Sequence, residues 1–188
     1  TEMQKQVAAY PLDTREHLQL AQAYRIAGDN TSALKEIQEA ARLSPGKEEI
    51  WIQAGAIEWD VGNGEAAQAS FNKAYALGPQ FPDLALYAAA GDIIIGDLKK
   101  ADQILLDAYG SENVDSDVLA AAYYRTQNWP RLIALLTVRT EKPDASADTW
   151  FSLASAYSAA GDKPSAIKAV NTAVALHPSA AAAAADIL

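Results

Sequence analysis

The chain repeats itself, and no other feature restricts its fold so strongly. Gly28, Gly62 and Gly96 stand 34 residues apart, Gln127 takes the fourth place after 31, and Gly161 follows after another 34. Four segments around these places share one order of residues: an aromatic or apolar side chain, an Ala/Gly step, Tyr or an equivalent, Gly-Asp or Gly-Asn, an Ala, and a Leu-x-Pro close. In the first copy Leu20, Ala21 and Tyr24 have helical spacing up to Gly28-Asp29, and Ala33, Ile37 and Ala40 continue it to Leu43-Ser44-Pro45. Each copy therefore reads as two helices. The glycine lets the first helix end in a left-handed residue, and the polar residue behind it (Asp29, Asn63, Asp97, Asn128 or Asp162) favours the turn into the second. Pro45, Pro79 and Pro178 end the pairs because proline cannot continue the helical ladder, and Pro143 does the same one place early in the fourth copy.

Small residues explain how paired helices can lie close. Ala33, Ala67, Ala101 and Ala166 fall five places after their turn residue, where the tightest approach is expected, and Leu132 is the bulky exception. Trp51, Trp150, Phe71, Ile37, Leu105 and Val170 are expected to fill the core between units. Half of the residues are hydrophobic, much of that Ala, which suits packed helices and leaves no strand expected.

These residues resemble the tetratricopeptide repeat. Its pattern is matched most fully by Trp51, Gly55, Gly62, Ala67, Phe71, Ala74 and Pro79, and next by Trp150, Leu153, Ala154, Tyr157, Gly161-Asp162, Ala166, Ala173 and Pro178. The resemblance implies an all-α fold, a right-handed α-solenoid of about five helix-turn-helix repeats at 14–47, 48–81, 82–112, 113–146 and 147–180, with partial flanking helices. The third copy has Ala85 where an aromatic is expected and is three residues short; the fourth has Ser116 and Gln127 at the aromatic and glycine places. Residues 1–13 read as the closing helix of a preceding repeat, since Pro11 stands 34 residues before Pro45, and 181–188 read as the start of a capping helix. The chain thus reads as a piece of a longer array. Its layout is similar, more distantly, to the tetratricopeptide tails that follow the membrane region of bacterial O-antigen ligase-like proteins, which would tether it to an inner membrane through a parent protein. The compartment is otherwise open.

Charge and composition narrow the chemistry. Against 15 Lys and Arg stand 24 Asp and Glu, a net charge of −9 that repels phosphate backbones, so nucleic acid is not an expected partner. Without cysteine there is no disulfide, thiolate metal site or cysteine nucleophile. The histidines, His17 and His177, fall in the first and last repeats, and His17 takes the place of Trp51 and Trp150, where packing is expected. Gly62-Asn63-Gly64 lacks the third glycine and the Lys-Ser or Lys-Thr of a phosphate loop, and Asp115-Ser116-Asp117 is only a fragment of a calcium loop. No catalytic residue, metal site or cofactor is expected, and no apolar run is long enough for direct membrane insertion.

What the resemblance implies is binding. In the family, places two, five, nine, twelve and thirteen of each repeat face a concave groove. Here these are Arg15, Leu18, Gln22, Arg25 and Ile26; Glu49, Ile52, Ala56, Trp59 and Asp60; Asp83, Leu86, Ala90, Ile93 and Ile94; Val114, Asp117, Ala121, Tyr124 and Arg125; and Asp148, Phe151, Ser155, Ser158 and Ala159. The Lys and Asn of the carboxylate clamp found in chaperone-binding members are missing. The expected partner site is Leu18, Arg25, Ile52, Trp59, Asp60, Leu86, Ile93, Ile94, Tyr124, Arg125 and Phe151, an apolar lining with an acidic border. The expected partner is a protein or peptide, apolar or amphipathic and basic; self-association as a structural spacer is the competing use.

Overall fold

The computed structural model describes residues 2–180, so the expected capping helix at 181–188 lies outside the described residues. Among those described there are eleven α-helices and no strand. Contacts divide the chain into two compact units, Thr1–Gly110 and Ser111–Leu188. The first contains α1 (Glu2–Ala9), α2 (Thr14–Ile26), α3 (Asn30–Leu43), α4 (Glu48–Asp60), α5 (Gly64–Leu77), α6 (Pro82–Ile94) and α7 (Leu98–Tyr109). The second contains α8 (Asp117–Arg125), α9 (Trp129–Thr140), α10 (Ala147–Ala159), α11 (Lys163–Leu176) and a short 3-10 turn, Pro178–Ala180. Within each unit the helices pack mainly on their neighbours in sequence, as stacked hairpins do.

The turn between the helices of each pair is built one way. Asp29, Asn63, Asp97, Asn128 and Asp162 cap the second helix by accepting the N–H three residues on, at 3.1, 3.2, 3.1, 3.4 and 3.2 Å. Their own N–H groups reach back to the carbonyls of Tyr24, Glu58, Asp92, Tyr123 and Tyr157 at 2.8–2.9 Å, which closes the first helix. The residue between must be left-handed. Four glycines supply this, and in the fourth pair Gln127 does so with φ of 56°, the one non-glycine residue of positive φ among those described. A side chain there works against its own β-carbon. Gln127→Gly is expected to stabilise unit 2 by about 0.5–1 kcal/mol, the relief of left-handed strain less the added freedom of the unfolded glycine. Urea unfolding followed at Trp129 checks this, and an unchanged or lowered midpoint would show that Gln127 carries no strain.

The close approach expected at the small residues is present: Ala33, Ala67 and Ala166 are fully buried and Ala101 nearly so. His17 is buried as well, and the structure shows what it replaces. Its Nε2 donates to the Pro11 carbonyl at 3.1 Å, and Trp51 Nε1 donates to the Pro45 carbonyl at 2.9 Å, in each case to the proline six residues earlier. A ring N–H at this place thus ties the first helix of a repeat to the loop before it. Nδ1 of His17 meets Glu36 on α3 at 2.7 Å, so both nitrogens are committed to holding helices together.

Candidate binding faces

The first helices of the repeats are α2, α4 and α6 in unit 1 and α8 and α10 in unit 2. In unit 1 a cleft of ≈ 540 Å³ opens between α1, α2 and α4. Leu18 and Ala23 form its floor, with Met3 from α1 and Ile26 at its edges. Gln19, Gln22 and Gln53 bring three amides to the walls, and Arg15, Lys47 and Glu49 stand at the mouth. Gln53 Oε1 is buried and has no hydrogen-bond partner among the described residues. Ile26 is 78% exposed, an unusual position for a large aliphatic side chain at the edge of a concavity.

The structure rearranges the expected site. Leu18 is only 5% exposed and belongs to the core cluster with Ile37, Ile50 and Ile57, so it supports the cleft from below. Ile93 is 2% exposed and is core, not lining, whereas Ile94, about 100° further round the helix, is half-buried. Ile52, Leu86, Ile94, Trp59 and Phe151 are half-buried and keep part of their surface on the face. Arg25 Nε meets Asp60 Oδ2 at 2.7 Å, joining the ends of α2 and α4, so these two cancel each other's charge instead of receiving a partner's. Tyr124 is 62% exposed, with its ring edge-on to Trp129 at 5.8 Å; Arg125 beside it is exposed as well.

Charge is uneven between the two units. Unit 1 has 9 Lys and Arg against 16 Asp and Glu, and so carries −7 of the chain's −9. Of the acidic border, Asp60 is paired with Arg25 and Asp117 with Arg139, which leaves Glu49, Asp83 and Asp148 with no ion pair among the described residues. At the start of α8, Asp115 accepts from Arg139 Nε at 2.7 Å and from Lys142. Burial pushes the Asp115 carboxyl up, but the bonds from Lys142 and Arg139 outweigh it and hold the group below the usual carboxylate range. This network braces the link into α8. Among the described residues, no cluster of three or more His, Asp or Glu side chains could hold a metal, and no helix is long and apolar enough to cross a membrane.

No family model matches the sequence, and no curated protein matches it either. Solved structures do. The chain superposes on YrrB, a tetratricopeptide protein with an unusual peptide-binding site, with a TM-score of 0.57 over 95% of this chain and 93% of that one at 16% identity. It superposes on the MamA protein with a TM-score of 0.58 over 89% of this chain and 93% of that one at 18% identity.

Proposed function

Given that this chain has the tetratricopeptide repeat fold, we propose that it is a non-enzymatic scaffold that holds a peptide or helix against the first-helix face of its repeats. The observation that carries this reading is the unit 1 cleft, where an apolar floor, three wall amides and the exposed Ile26 converge. Apolar anchors in a preformed concavity supply binding energy, and amides beside them can pair with the backbone of a bound segment. That YrrB has a peptide-binding site on a similar fold is consistent with this use. The partner is apolar or amphipathic and basic: the −7 of unit 1 attracts cations, and of the two cations at the cleft mouth, Arg15 and Lys47, Arg15 is held by Asp13 at 3.2 Å while Lys47 stands beside Glu49 in the lining.

Peptides selected from a random library on the full-length chain test the proposal. They are expected to pair aliphatic or aromatic residues with Lys or Arg. Ile26→Glu and Trp59→Ala are each expected to weaken them by about 2 kcal/mol, roughly thirtyfold in Kd, with the melting temperature little changed. If no peptide binds, and sedimentation shows self-associated chains whose interface includes Ile26, the face serves contacts between copies and the scaffold reading is wrong. A Trp59→Ala chain that melts much lower while binding unchanged would place Trp59 in the core.

A further inference from the structure

The fourth repeat breaks the rule that keeps the other pairs tight. Where the second helix approaches its partner, the other repeats have Ala33, Ala67, Ala101 and Ala166, and two turns further along the same face Ala40, Ala74 and Ala173 with no exposed surface and Ala108 half-buried. In α9 the same two places are Leu132 and Arg139. Seven residues apart, they share one helix face with Leu136 between them. Two large side chains stand here in place of two methyl groups, with α8 packed mainly on α9 and α10 packed on both α9 and α11. A slot of ≈ 430 Å³ lies here within unit 2. Leu132 and Leu136, 5% and 4% exposed, form its floor, and its walls are the short side chains Ala120 and Ala121 of α8 and Ser152 and Ser155 of α10.

A greasy floor between short walls is shaped to take a projecting side chain. The charges around it select which one. Asp148 lies one turn before Ser152, is exposed, and meets no cation among the described residues; Asp117, one turn before Ala121, is already bonded to Arg139. Arg139 lines the slot as well, and its charge is taken by Asp115 at 2.6 Å and Asp117 at 2.9 Å. Tyr124, fixed edge-on by Trp129, adds an exposed ring at the lip on which a cation can also rest.

We infer that this slot is a specificity subsite, which receives one large aliphatic or aromatic side chain from a partner helix that carries Lys or Arg one turn away. The inference rests on the scaffold reading above and adds to it a second anchor point, local to unit 2, with a defined side-chain and charge preference.

The test uses the full chain and a helical peptide with a single Leu one turn from a Lys, alongside the same peptide with Leu→Ala and with Lys→Glu. Ala121→Trp fills the slot from an exposed wall position, and Asp148→Lys reverses the charge at its lip. The Leu/Lys peptide is expected to bind, and to lose at least about tenfold in affinity on either peptide change or on Ala121→Trp. Asp148→Lys should weaken the Lys peptide and strengthen the Glu peptide, and this exposed substitution keeps the test valid should Ala121→Trp disturb folding. If neither chain substitution changes the affinity while Ile26→Glu abolishes it, the slot is not a subsite and the scaffold reading stands. If the Leu/Lys peptide fails to bind the native chain while library-selected peptides bind, the subsite inference falls alone. If nothing binds, both fall.

Discussion

Lys100→Met is expected to destabilise unit 1 by about 3 kcal/mol, because it leaves the fully buried Asp92 without the one ion-pair partner it has among the described residues. Lys100 Nζ lies 2.9 Å from Asp92 Oδ1, and the same oxygen accepts from Gln68 Nε2 at 2.6 Å. The other oxygen, Oδ2, is buried with no partner among the described residues. The pair is therefore only just compensated. Because the Lys100 side chain is 47% exposed, the loss falls at the low end of the range for broken buried pairs. The site arises from an exchange within the repeat. Place eleven is Tyr in the first, fourth and fifth repeats (Tyr24, Tyr123 and Tyr157) but Glu58 and Asp92 in the second and third. Glu58 accepts from the buried Ser70 at 2.6 Å, and burial pushes its carboxyl up, only partly opposed by that hydrogen bond. Urea unfolding measures the Lys100→Met loss. Adding Asp92→Asn, which removes the charge and keeps the acceptor for Gln68, should recover most of it. A loss below about 0.5 kcal/mol, the level typical of an exposed pair, would show that Asp92 is stabilised by something other than Lys100.

Phe71→Ala is expected to cost unit 1 about 3–5 kcal/mol, the largest effect of any single substitution considered. Phe71 on α5 is 3% exposed, and its ring centre lies 5.8 Å from that of Tyr87 on α6. On its other side it rests on Gly55 of α4. A β-carbon at Gly55 would lie 2.5 Å from Phe71 Cε1 and 2.6 Å from Cδ1, closer than atoms can pack. One ring therefore sets the spacing of three helices. The same contact predicts that Gly55→Ala destabilises by about 1–3 kcal/mol through overpacking, and that Phe71→Leu in that background recovers part of it. Thermal or urea melts of the single and double variants decide this. If the two losses simply add, Gly55 and Phe71 do not share the contact.

The sequence by itself determined the repeat, and with it the helices. A turn that needs a left-handed residue, a polar cap after it and a proline at the end are local requirements, so Gly28, Asp29 and Pro45 announce them wherever they occur. Even the departure at Gln127 was legible, because the register of the neighbouring repeats fixes its place. The close packing at Ala33, Ala67, Ala101 and Ala166 was legible for the same reason. The tertiary structure alone decided which residues of the binding face stay open. Neighbouring places on a helix differ by about 100° in direction, so whether Ile93 or Ile94 enters the core depends on how α6 is turned against α5 and α7. That orientation is set by contacts such as Gly91 against Gln68, where a β-carbon would come within 3.0 Å of the Gln68 backbone. The loss of Arg25 and Asp60 to each other, the open edge at Ile26 and the slot over Leu132 are likewise matters of distance between helices. A repeat pattern specifies each helix pair. The size of the side chains wedged between helices then determines where a cavity remains and what can enter it.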